Sequence, residues 1–557
     1  WTNIHGFSFI GPLLILIFIL SEAIKRSIKL PYQWNIEGKL QDRSLKDLVI
    51  VFFISIAATF LNPYGIEGAS YPLTVLAQIT GKGKIVFKYI QELARPITLK
   101  NIFNPNVFIF YKSFILISLF SFRFNQKNIN VSNLILWLCF TVFSFFAIRN
   151  IAYFGIVAGF VCLENVESAI RNHKKLPFPL ENPRFKMYSV YLFMAILFIY
   201  TGKGAFKYLE SYTYIFDTYS LKSGMWGLTE NKFPEKAVNF LLNCNIKGNM
   251  INDFNSGSYL IGRTYPMRQV FIDGRTELYG PVFFSDYVRL GEGERGIIEK
   301  TVAKYDIRGF FLTVSTDDLH TGLMRYLSKN PLWKVVYFDQ TAIIFLKDIP
   351  ENSKIIREFS IDLKRWKPAK PDLMKLGIVY RYPYPYVQRG RFLWRLGFFE
   401  AAAREAVEIL AISPVNPDAY KFLSDYFYSK GNYNKAFQYA RNCLVLASGD
   451  SYTRTRLALI YHKLGKDENA LKVINAIIKN RPNYPEAFFV KAQIVKDKDI
   501  NSAIEFLKTA IKFDGKEARY HNELGNLYEK KGEMEKAGEE WKRSFEYGGS
   551  RRDFKNN

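Results

Sequence analysis

The sequence predicts a fold class with three parts: an α-helical membrane bundle, an α/β extracytoplasmic domain, and an all-α solenoid of repeated helix pairs. Three observations lead to it. Long apolar runs are concentrated in residues 1–204, short apolar runs alternate with helical patterns in residues 205–349, and small residues recur at a regular period in residues 383–549. A proline-containing linker at 350–382 and a tail at 550–557 complete the predicted organisation.

Length and composition restrict the classes of function. A chain of 557 residues is too long for one hydrophobic core. The net charge of +25 is spread along the chain without a compact basic stripe, so we expect no nucleic-acid partner. The four cysteines form neither a disulfide framework nor a metal-ligand spacing. No cofactor is evident, and a divalent metal stays undetermined. Because the chain begins at Trp1 rather than Met, we expect it to be part of a longer protein.

Six apolar runs predict about six membrane helices in residues 1–204. Several runs are shorter than the ~20 residues that cross a bilayer squarely, so flanking aromatic residues must share the span. Six such runs favour membrane insertion over a large soluble helical core. The runs are Phe7–Leu20, Leu48–Leu61, Val107–Phe122, Val131–Ile148, Ile151–Cys162 and Tyr188–Tyr200.

Basic residues in the connecting loops predict the orientation. Lys and Arg concentrate after the first run, as at Lys25 and Arg26, and after the fifth, as at Lys174 and Lys175. Cytoplasmic loops retain such residues. The sequence therefore predicts a multi-pass protein of the bacterial plasma membrane, in contact with membrane lipid, with everything after Tyr200 outside the cytoplasm.

Two polar residues near helix ends are candidates for lipid-phosphate binding. Arg149 lies in a tight hairpin between the fourth and fifth runs, where it either binds a lipid phosphate by charge-assisted bonds or extends to the interface and caps a helix. His5 precedes the first run and is either a phosphate contact or an ordinary interfacial residue.

The α/β domain is predicted to have its polar site in residues 250–280. The runs Met250–Asn252 and Gln269–Ile272 read as buried strands that end at Asp253 and Asp273. Ligands collect at the carboxyl ends of strands in a largely parallel sheet, which the alternation of strands and helices predicts. The candidate binding residues in the first turn are Asp253, Asn255 and Tyr259.

A second set of charges follows the second predicted strand. Asp273, Arg275 and Glu277 share one face if the segment stays extended. Such a face would bind a sugar or a phosphate, or it would form an ion-pair network that fixes the domain against the bilayer. The sequence leaves both alternatives open.

Four short sequences together resemble a known family: W-x-N-x-H-G at the start, N-P-Y-G at 62–65, R-N at 149–150 and F-I-D-G-R-T-E-L-Y-G at 271–280. They are similar to bacterial multi-pass relatives of the C-type glycosyltransferases, the dolichyl-phosphate-mannose and oligosaccharyltransferase type. The resemblance implies a polyprenyl-phosphate-linked sugar donor and a catalytic acidic residue upstream of Trp1. The tryptophans of the family's acceptor-binding W-W-D-Y-G sequence are absent around Asp253.

Residues 383–549 contain five tetratricopeptide repeats according to two series of small residues. The first is Gly390, Ser424, Ala458, Ala492 and Gly525; the second is Ala402, Ala436, Ala470, Ala503 and Ala537. Successive members are 33 or 34 positions apart, and small residues let paired helices pack closely. Such solenoids bind a protein or peptide on a concave face. The alternative is a structural cap on the α/β domain.

Two functional hypotheses result. The first is a membrane glycosyltransferase that uses a polyprenyl-phosphate sugar donor and whose repeats recruit an acceptor or partner. The alternative is a non-catalytic membrane-anchored scaffold whose repeats assemble an envelope protein complex.

Overall fold

The computed structural model describes residues 9–71, 94–98, 101–104, 108–172, isolated positions between 187 and 202, and then 233–314, 320–371 and 383–547. The chain divides into two compact units. The first comprises residues 1–201 and 276–284, and the second comprises residues 202–275 and 285–557.

The regular secondary structure in the described part of the first unit is helical. Its helices coincide with five of the six predicted apolar runs: α1 (Ile10–Ser27), α2 (Asp42–Thr59), α3 (Ile109–Phe124), α4 (Val131–Ser144) and α5 (Ile151–Asn172). The sixth predicted run lies largely outside the described residues. Within the described chain, one continuous helical stretch, Ile148–Ala169, is both long enough and apolar enough to cross a membrane. The six-helix membrane bundle therefore stays a prediction.

The α/β domain consists of a four-stranded sheet with helices packed around it. The elements are α6 (Glu235–Asn243), β1 (Asn249–Asn252), α7 (Phe254–Thr264), α8 (Thr276–Gly291), α9 (Arg295–Lys304), β2 (Ile307–Thr313), α10 (Thr321–Lys329), β3 (Trp333–Phe338), β4 (Ala342–Lys347) and α11 (Ser353–Phe359). Residues 276–284 of α8 belong to the first unit, and the rest of the helix belongs to the second. The strand order is β1-β2-β4-β3. The central strands β2 and β4 carry nearly continuous apolar sequence and are buried on both faces.

The prediction of a largely parallel sheet is wrong. Only β1 and β2 pair in parallel, whereas β2–β4 and β3–β4 are antiparallel. The reason is the turn at Asp339, whose carboxylate accepts the backbone N–H groups of Thr341 (2.6 Å) and Ala342 (2.9 Å). When an Asp side chain accepts a hydrogen bond from the backbone two residues later, the chain reverses in a tight turn. Strand β4 therefore lies beside β3 as a hairpin.

The predicted strand Gln269–Ile272 is also wrong. The segment is held by a side chain rather than by a backbone ladder: the Asn252 amide accepts the N–H of Phe271 and donates to the carbonyl of Ile272, each at 2.7 Å. A side chain therefore stands between β1 and this segment, which keeps their backbones farther apart than the ~4.8 Å of paired strands.

The repeats form five pairs of antiparallel helices. The first helices of the pairs are α12 (Tyr384–Arg395), α14 (Pro417–Ser429), α16 (Ser451–Lys463), α18 (Pro485–Val495) and α20 (Ala518–Lys530). The second helices are α13 (Phe399–Ile412), α15 (Tyr433–Leu446), α17 (Asp467–Asn480), α19 (Ile500–Phe513) and α21 (Met534–Glu546).

Glycines fix both the turns and the close packing of these pairs. Gly397, Gly431, Gly465 and Gly532 end first helices with φ between 73° and 83°, a left-handed conformation that side chains disfavour. Gly390 is needed for contact, because a Cβ there would lie 2.5 Å from the ring of Phe422 in the next repeat.

Candidate functional site

Asp253 is bonded on both carboxylate oxygens by the backbone of the domain itself. One oxygen accepts the N–H of Ser256 at 3.0 Å and caps α7, and the other accepts the N–H of Thr313 at 2.6 Å. The residue is 2% exposed. The carboxylate thus joins the turn after β1 to the end of β2. This geometry gives Asp253 a structural role, and a role in acceptor binding stays a prediction.

Asp273 is likewise occupied by its neighbour. Its carboxylate accepts the backbone N–H of Arg275 at 2.8 Å and forms a two-pronged ion pair with the Arg275 guanidinium, at 2.6 and 3.0 Å. Helix α8 then begins at Thr276. The segment does not stay extended, so the predicted shared face of Asp273, Arg275 and Glu277 is wrong, and Glu277 lies in the first turn of α8. The Arg275 side chain is 60% exposed, whereas that of Asp273 is 1% exposed.

The other candidates of this region lie on α7. Asn255 is exposed in the first turn. Tyr259 is half-buried, and its ring stacks on Phe233 at 5.2 Å. Burial raises the pKa of the Tyr259 hydroxyl, which keeps it protonated.

Two buried residues that the sequence analysis did not select complete this end of the sheet. The Tyr287 hydroxyl accepts the N–H of Phe254 at 2.7 Å and shares a hydrogen bond of 2.8 Å with Nε2 of His320. Both side chains are nearly inaccessible. Among the described residues, these contacts join the turn after β1 to α8 and to His320.

The candidates of the first unit are less completely described. Arg149 lies exposed in a short 3-10 turn, Ile148–Asn150, between α4 and α5. His5 lies outside the described residues. Across the described chain, no group of three or more His, Cys, Asp or Glu side chains is placed to bind a metal ion.

The first helices of the five repeats bring their side chains together on one surface, which we call the inner-helix face. Arg391 of α12 pairs with Asp418 of α14 at 2.7 Å. The rings of Trp394 and Tyr452 meet at 4.7 Å although they are two repeats apart. Side chains of non-adjacent repeats meet only where the array curves toward them, so the inner-helix face is concave.

Asp425 lies at the centre of a cluster on this face. Its carboxylate accepts hydrogen bonds from the indole of Trp394 and from the Tyr452 hydroxyl, at 2.9 Å for the latter. The Arg456 guanidinium lies 2.5 Å away and also covers the ring of Tyr428, 4.6 Å from its centroid. We call these five residues the Asp425 cluster. It joins the first three repeats through one buried charge.

The pKa values of three members of this cluster are shifted. Burial lowers the pKa of the Arg456 guanidinium, but the Asp425 carboxylate and the hydroxyls of Tyr452 and Tyr428 together outweigh it, so this pKa lies above its ordinary value. Burial raises the pKa values of Tyr452 and Tyr428. The Arg456 guanidinium therefore stays charged and the two tyrosine hydroxyls stay protonated near neutral pH.

A second ion-pair cluster lies at the other end of the inner-helix face. Arg519 of α20 pairs with Glu486 of α18 and with Glu517, both at 3.1 Å. The Arg519 guanidinium also lies 5.5 Å from the centre of the Phe489 ring. Its side chain is 54% exposed, whereas those of Glu486 and Glu517 are 16% and 17% exposed. Cations and rings therefore form the accessible part, with the carboxylates beneath them.

The 34-residue period is the signal that identifies these residues in the sequence. One position of the repeat is occupied in succession by Asp418, Tyr452 and Glu486. Another is occupied by Trp394 in the first repeat and Tyr428 in the second. Once the helix phase is known from the small residues, each such position falls on the face of the first helix.

Comparison with known proteins supports the repeat region. Models of the tetratricopeptide repeat match residues 387–451 and 452–484. The C-terminal region is thus a tetratricopeptide array, which confirms that part of the prediction. None of the curated proteins compared with the chain matches it.

Several solved structures are similar to the repeat region. A MamA fragment from Desulfovibrio magneticus RS-1 is 22% identical over 32% of this chain and 97% of its own, with a TM-score of 0.24. TTC0263 from Thermus thermophilus, a thermophilic TPR protein, is 19% identical over 30% and 93%, with a TM-score of 0.29. YrrB, described as a TPR protein with an unusual peptide-binding site, is 18% identical over 30% and 88%, with a TM-score of 0.22.

Proposed function

We propose that the chain is a membrane-anchored scaffold whose repeats bind an extended segment of a partner protein along the inner-helix face. The observation that carries this proposal is the Asp425 cluster together with the Arg519 ion pairs: one concave surface of rings and fixed charges that spans all five repeats. Tetratricopeptide arrays present such a surface for proteins and peptides.

The chemistry of the inner-helix face suits a polypeptide ligand. Half-buried rings such as Trp394 and Tyr452 offer apolar contact area at a small cost in side-chain entropy. Two guanidinium groups on this face suit the oxygens of a polypeptide ligand. They belong to Arg391, whose side chain is 34% exposed, and to Arg519. Each can donate hydrogen bonds to carbonyl or carboxylate oxygens of the ligand. Because ion pairs hold these side chains in place, little ordering is needed when a ligand binds.

The described part of the first unit supports a membrane anchor through its distribution of polarity. Large apolar side chains project from the helix exteriors; Phe110, Ile156 and Leu163 are each more than 70% exposed. Soluble domains rarely expose contiguous apolar patches of this kind. Lipid is the environment in which such exteriors are favourable.

Buried polar side chains form hydrogen bonds between the same helices. The Trp137 indole donates to Ser118 at 2.8 Å, the Asn165 amide donates to Ser121 at 2.9 Å, and the hydroxyls of Ser21 and Ser132 lie 2.6 Å apart. Small polar residues that bond across helices are typical of membrane bundles, where apolar burial gives no driving force for association.

Charge favours one orientation of this anchor. The loops after α1 and α3 lie together, since the Trp34 indole donates to the carbonyl of Gln126 at 2.8 Å. Basic residues of the described chain concentrate at this end: Lys25, Arg26, Lys29, Lys39, Arg43, Arg123 and Lys127. The positive-inside rule assigns this end to the cytoplasm. With a sixth helix at Tyr188–Tyr200, the α/β domain and the repeats would lie outside the cytoplasm of a bacterial cell.

Sugar transfer gains no support from the contacts of the described residues. The carboxylates of Asp253 and Asp273 are bonded within the domain, and the lipid-phosphate contact predicted at His5 lies outside the described residues. We therefore do not extend the proposal to a reaction with a polyprenyl-phosphate-linked sugar.

The binding proposal is tested by site-specific photo-crosslinking in cells that express the full chain. A photoreactive phenylalanine analogue replaces Gln493, a partly accessible residue of α18 whose amide accepts a hydrogen bond from Lys496 on the inner-helix face. The matched control carries the analogue at Lys472, which is exposed on the second helix α17. We expect a discrete protein adduct from position 493 and none from position 472. Equal adducts from both positions, or no adduct from position 493, would contradict the proposal.

A further inference from the structure

The first repeat is attached to the α/β domain by a continuous apolar core. The ring of Phe338 at the end of β3 lies 5.1 Å from that of Phe392 in α12 and 4.9 Å from that of Trp366. One buried cluster runs from the sheet through the first helix pair into the second. Polar contacts reinforce it, because the Glu405 carboxylate accepts hydrogen bonds from both Trp366 and Arg389, each at 2.7 Å. This end of the array is a permanent attachment.

The fifth repeat also contacts the α/β domain, and it does so through polar side chains. The residue that makes the contact, Arg325, bonds to the first repeat as well. The Arg325 guanidinium on α10 donates to the carbonyl of Arg395, at the end of the first repeat's α12, at 3.0 Å. The same guanidinium lies 3.9 Å from the carboxylate of Glu517, which caps α20 of the fifth repeat. One side chain of the α/β domain therefore touches both ends of the inner-helix face.

Two more contacts accompany it. Lys516 pairs with Glu292 in the turn after α8. The Arg295 guanidinium of α9 lies 4.8 Å from the centre of the Phe545 ring on α21. We call the contacts of Glu292 and Arg325 with Lys516 and Glu517 the clasp.

The two ends of the array differ in strength. The Arg325 and Lys516 side chains are 44% and 45% exposed, and exposed ion pairs contribute little stability individually. The apolar cluster of the fourth and fifth repeats, which includes Leu507 and Leu524, contains repeat residues alone. Because the apolar contacts of the fifth repeat are made with the fourth, opening of its polar contacts leaves the apolar core of the first repeat intact. The polar contacts of the fifth repeat with the α/β domain can therefore open while the apolar core of the first repeat stays attached to it.

We propose that the clasp is a gate on the inner-helix face: it opens to admit a partner segment and closes over it by joining the fifth repeat to the α/β domain. The gating role rests on the proposed function, whereas the tests below need no partner. A failure of the clasp is therefore distinguishable from a failure of partner binding.

The first test measures a distance in the full chain, purified in nanodiscs. The native cysteines are replaced, and spin labels are placed at the exposed positions Lys300 on α9 and Lys542 on α21. The variants are Lys516→Glu, Glu292→Lys and the double exchange that restores the pair with reversed sign. In the open form, the two labels lie farther apart. We expect the population with this longer distance to rise about tenfold in each single variant. In the double variant, we expect it to fall back to its original value.

Salt provides a test without substitution. Raising NaCl to about 1 M shortens the Debye length to about 3 Å, so the open population of the original sequence is expected to rise. The control is Lys430→Glu, which breaks an exposed ion pair with Glu400 between the first and second repeats, whose charged atoms lie 3.1 Å apart. A label distance that is the same in all variants and at all salt concentrations overturns the clasp.

The second test measures access to the inner-helix face. A cysteine placed at Gln493 is treated with a small maleimide and with a maleimide on a long polyethylene glycol chain. The ratio of the two rates cancels the intrinsic reactivity of the thiol. We expect the rate with the large reagent, divided by the rate with the small one, to rise about tenfold in Lys516→Glu. In the double exchange, we expect this rate ratio to return to its original value. If the label distance changes in Lys516→Glu but the rate ratio does not, the clasp joins the fifth repeat to the α/β domain without controlling access to the inner-helix face. That result would overturn the gate.

Discussion

Arg325 and Glu517 lie 3.9 Å apart although they belong to the α/β domain and to the last repeat. The guanidinium of Arg325 simultaneously donates to the carbonyl of Arg395 in the first repeat. A single side chain thus bridges the two ends of an array of five helix pairs. The concave face that tetratricopeptide arrays leave open is here bounded by another domain of the same chain.

The first prediction concerns the pH dependence of this contact. Burial alone raises the pKa of Glu517, but the guanidinium groups of Arg519 and Arg325 lower it more, so it lies below its ordinary value of 4.5. A carboxylate whose pKa is depressed in the closed form stabilises that form above the ordinary pKa, and this contribution is lost as the pH falls through the depressed value. Arg519 belongs to the same repeat and stays beside Glu517 in the open form, so only the contribution of Arg325 is linked to closing. We expect the closed population to decrease as the pH falls below the ordinary value of about 4.5.

The measurement is the distance between labels at Lys300 and Lys542 as a function of pH. Glu517→Gln is expected to lower the closed population already at neutral pH and to flatten the profile. Glu400→Gln, which removes a carboxylate whose pKa is lowered by Lys430 far from the clasp, serves as the control. An unchanged profile in Glu517→Gln would refute the assignment of the acid transition to Glu517.

The second prediction concerns two glycines of the fifth repeat. A Cβ on Gly525 of α20 would lie 2.5 Å from the indole of Trp541, whereas a Cβ on Gly538 of α21 would meet nothing within 4 Å. Gly525→Ala is expected to destabilise the repeat by about 1–3 kcal/mol through overpacking. Gly538→Ala is expected to stabilise it by about 0.5–1 kcal/mol, because alanine loses less backbone entropy in a helix.

Both glycine variants are compared by the denaturant dependence of amide exchange in α20 and α21. Opposite signs for the two substitutions are the expected result. If both variants change the free energy of unfolding in the same direction, the close contact between Gly525 and Trp541 is not what limits this position.

The third prediction distinguishes a structural from a binding role for Asp253. Asp253→Ala removes the cap of α7, which costs about 1 kcal/mol, and leaves the buried N–H of Thr313 without its acceptor, which costs about 1–3 kcal/mol more. Amide exchange in β2 is expected to accelerate accordingly. Asn255→Ala, at an exposed position two residues away, is expected to leave this exchange unchanged. An Asp253→Ala variant with normal protection in β2 would return Asp253 to the list of binding candidates.

The fourth prediction tests the membrane anchor. Ile156 is 74% exposed on α5, and lysine at the centre of a membrane helix costs about 2.5–3.5 kcal/mol on insertion scales. Ile156→Lys is expected to reduce the fraction of protein that resists alkaline extraction from membranes. Glu167→Lys, near the basic end of the same helix and 63% exposed, is expected to have little effect. A protein that stays soluble and fully extractable in both variants and in the original sequence would rule out the anchor.

Parts of the fold were readable from local pattern. The recurring small residues such as Gly390 and Gly525 predicted the five helix pairs, because close helix packing imposes a repeated steric requirement on the sequence. The strand that ends at Asn252 was likewise visible as an apolar run before a turn. The segment Gln269–Ile272 has the same pattern and is not a strand, because the side chain of Asn252 occupies the place where a paired backbone would lie.

The sequence by itself determined the helical repeats, the strand β1 and the turn that ends it, since periodicity and turn formation are local properties. Only the tertiary structure decided what the charged residues do. Asp253 and Asp273 proved to be bonded to neighbouring backbone and to Arg275, and Arg325, inconspicuous in the sequence, proved to join the first and fifth repeats. Whether a charge faces a ligand or another part of the chain depends on contacts between distant segments, and these contacts leave no periodic signal in the sequence.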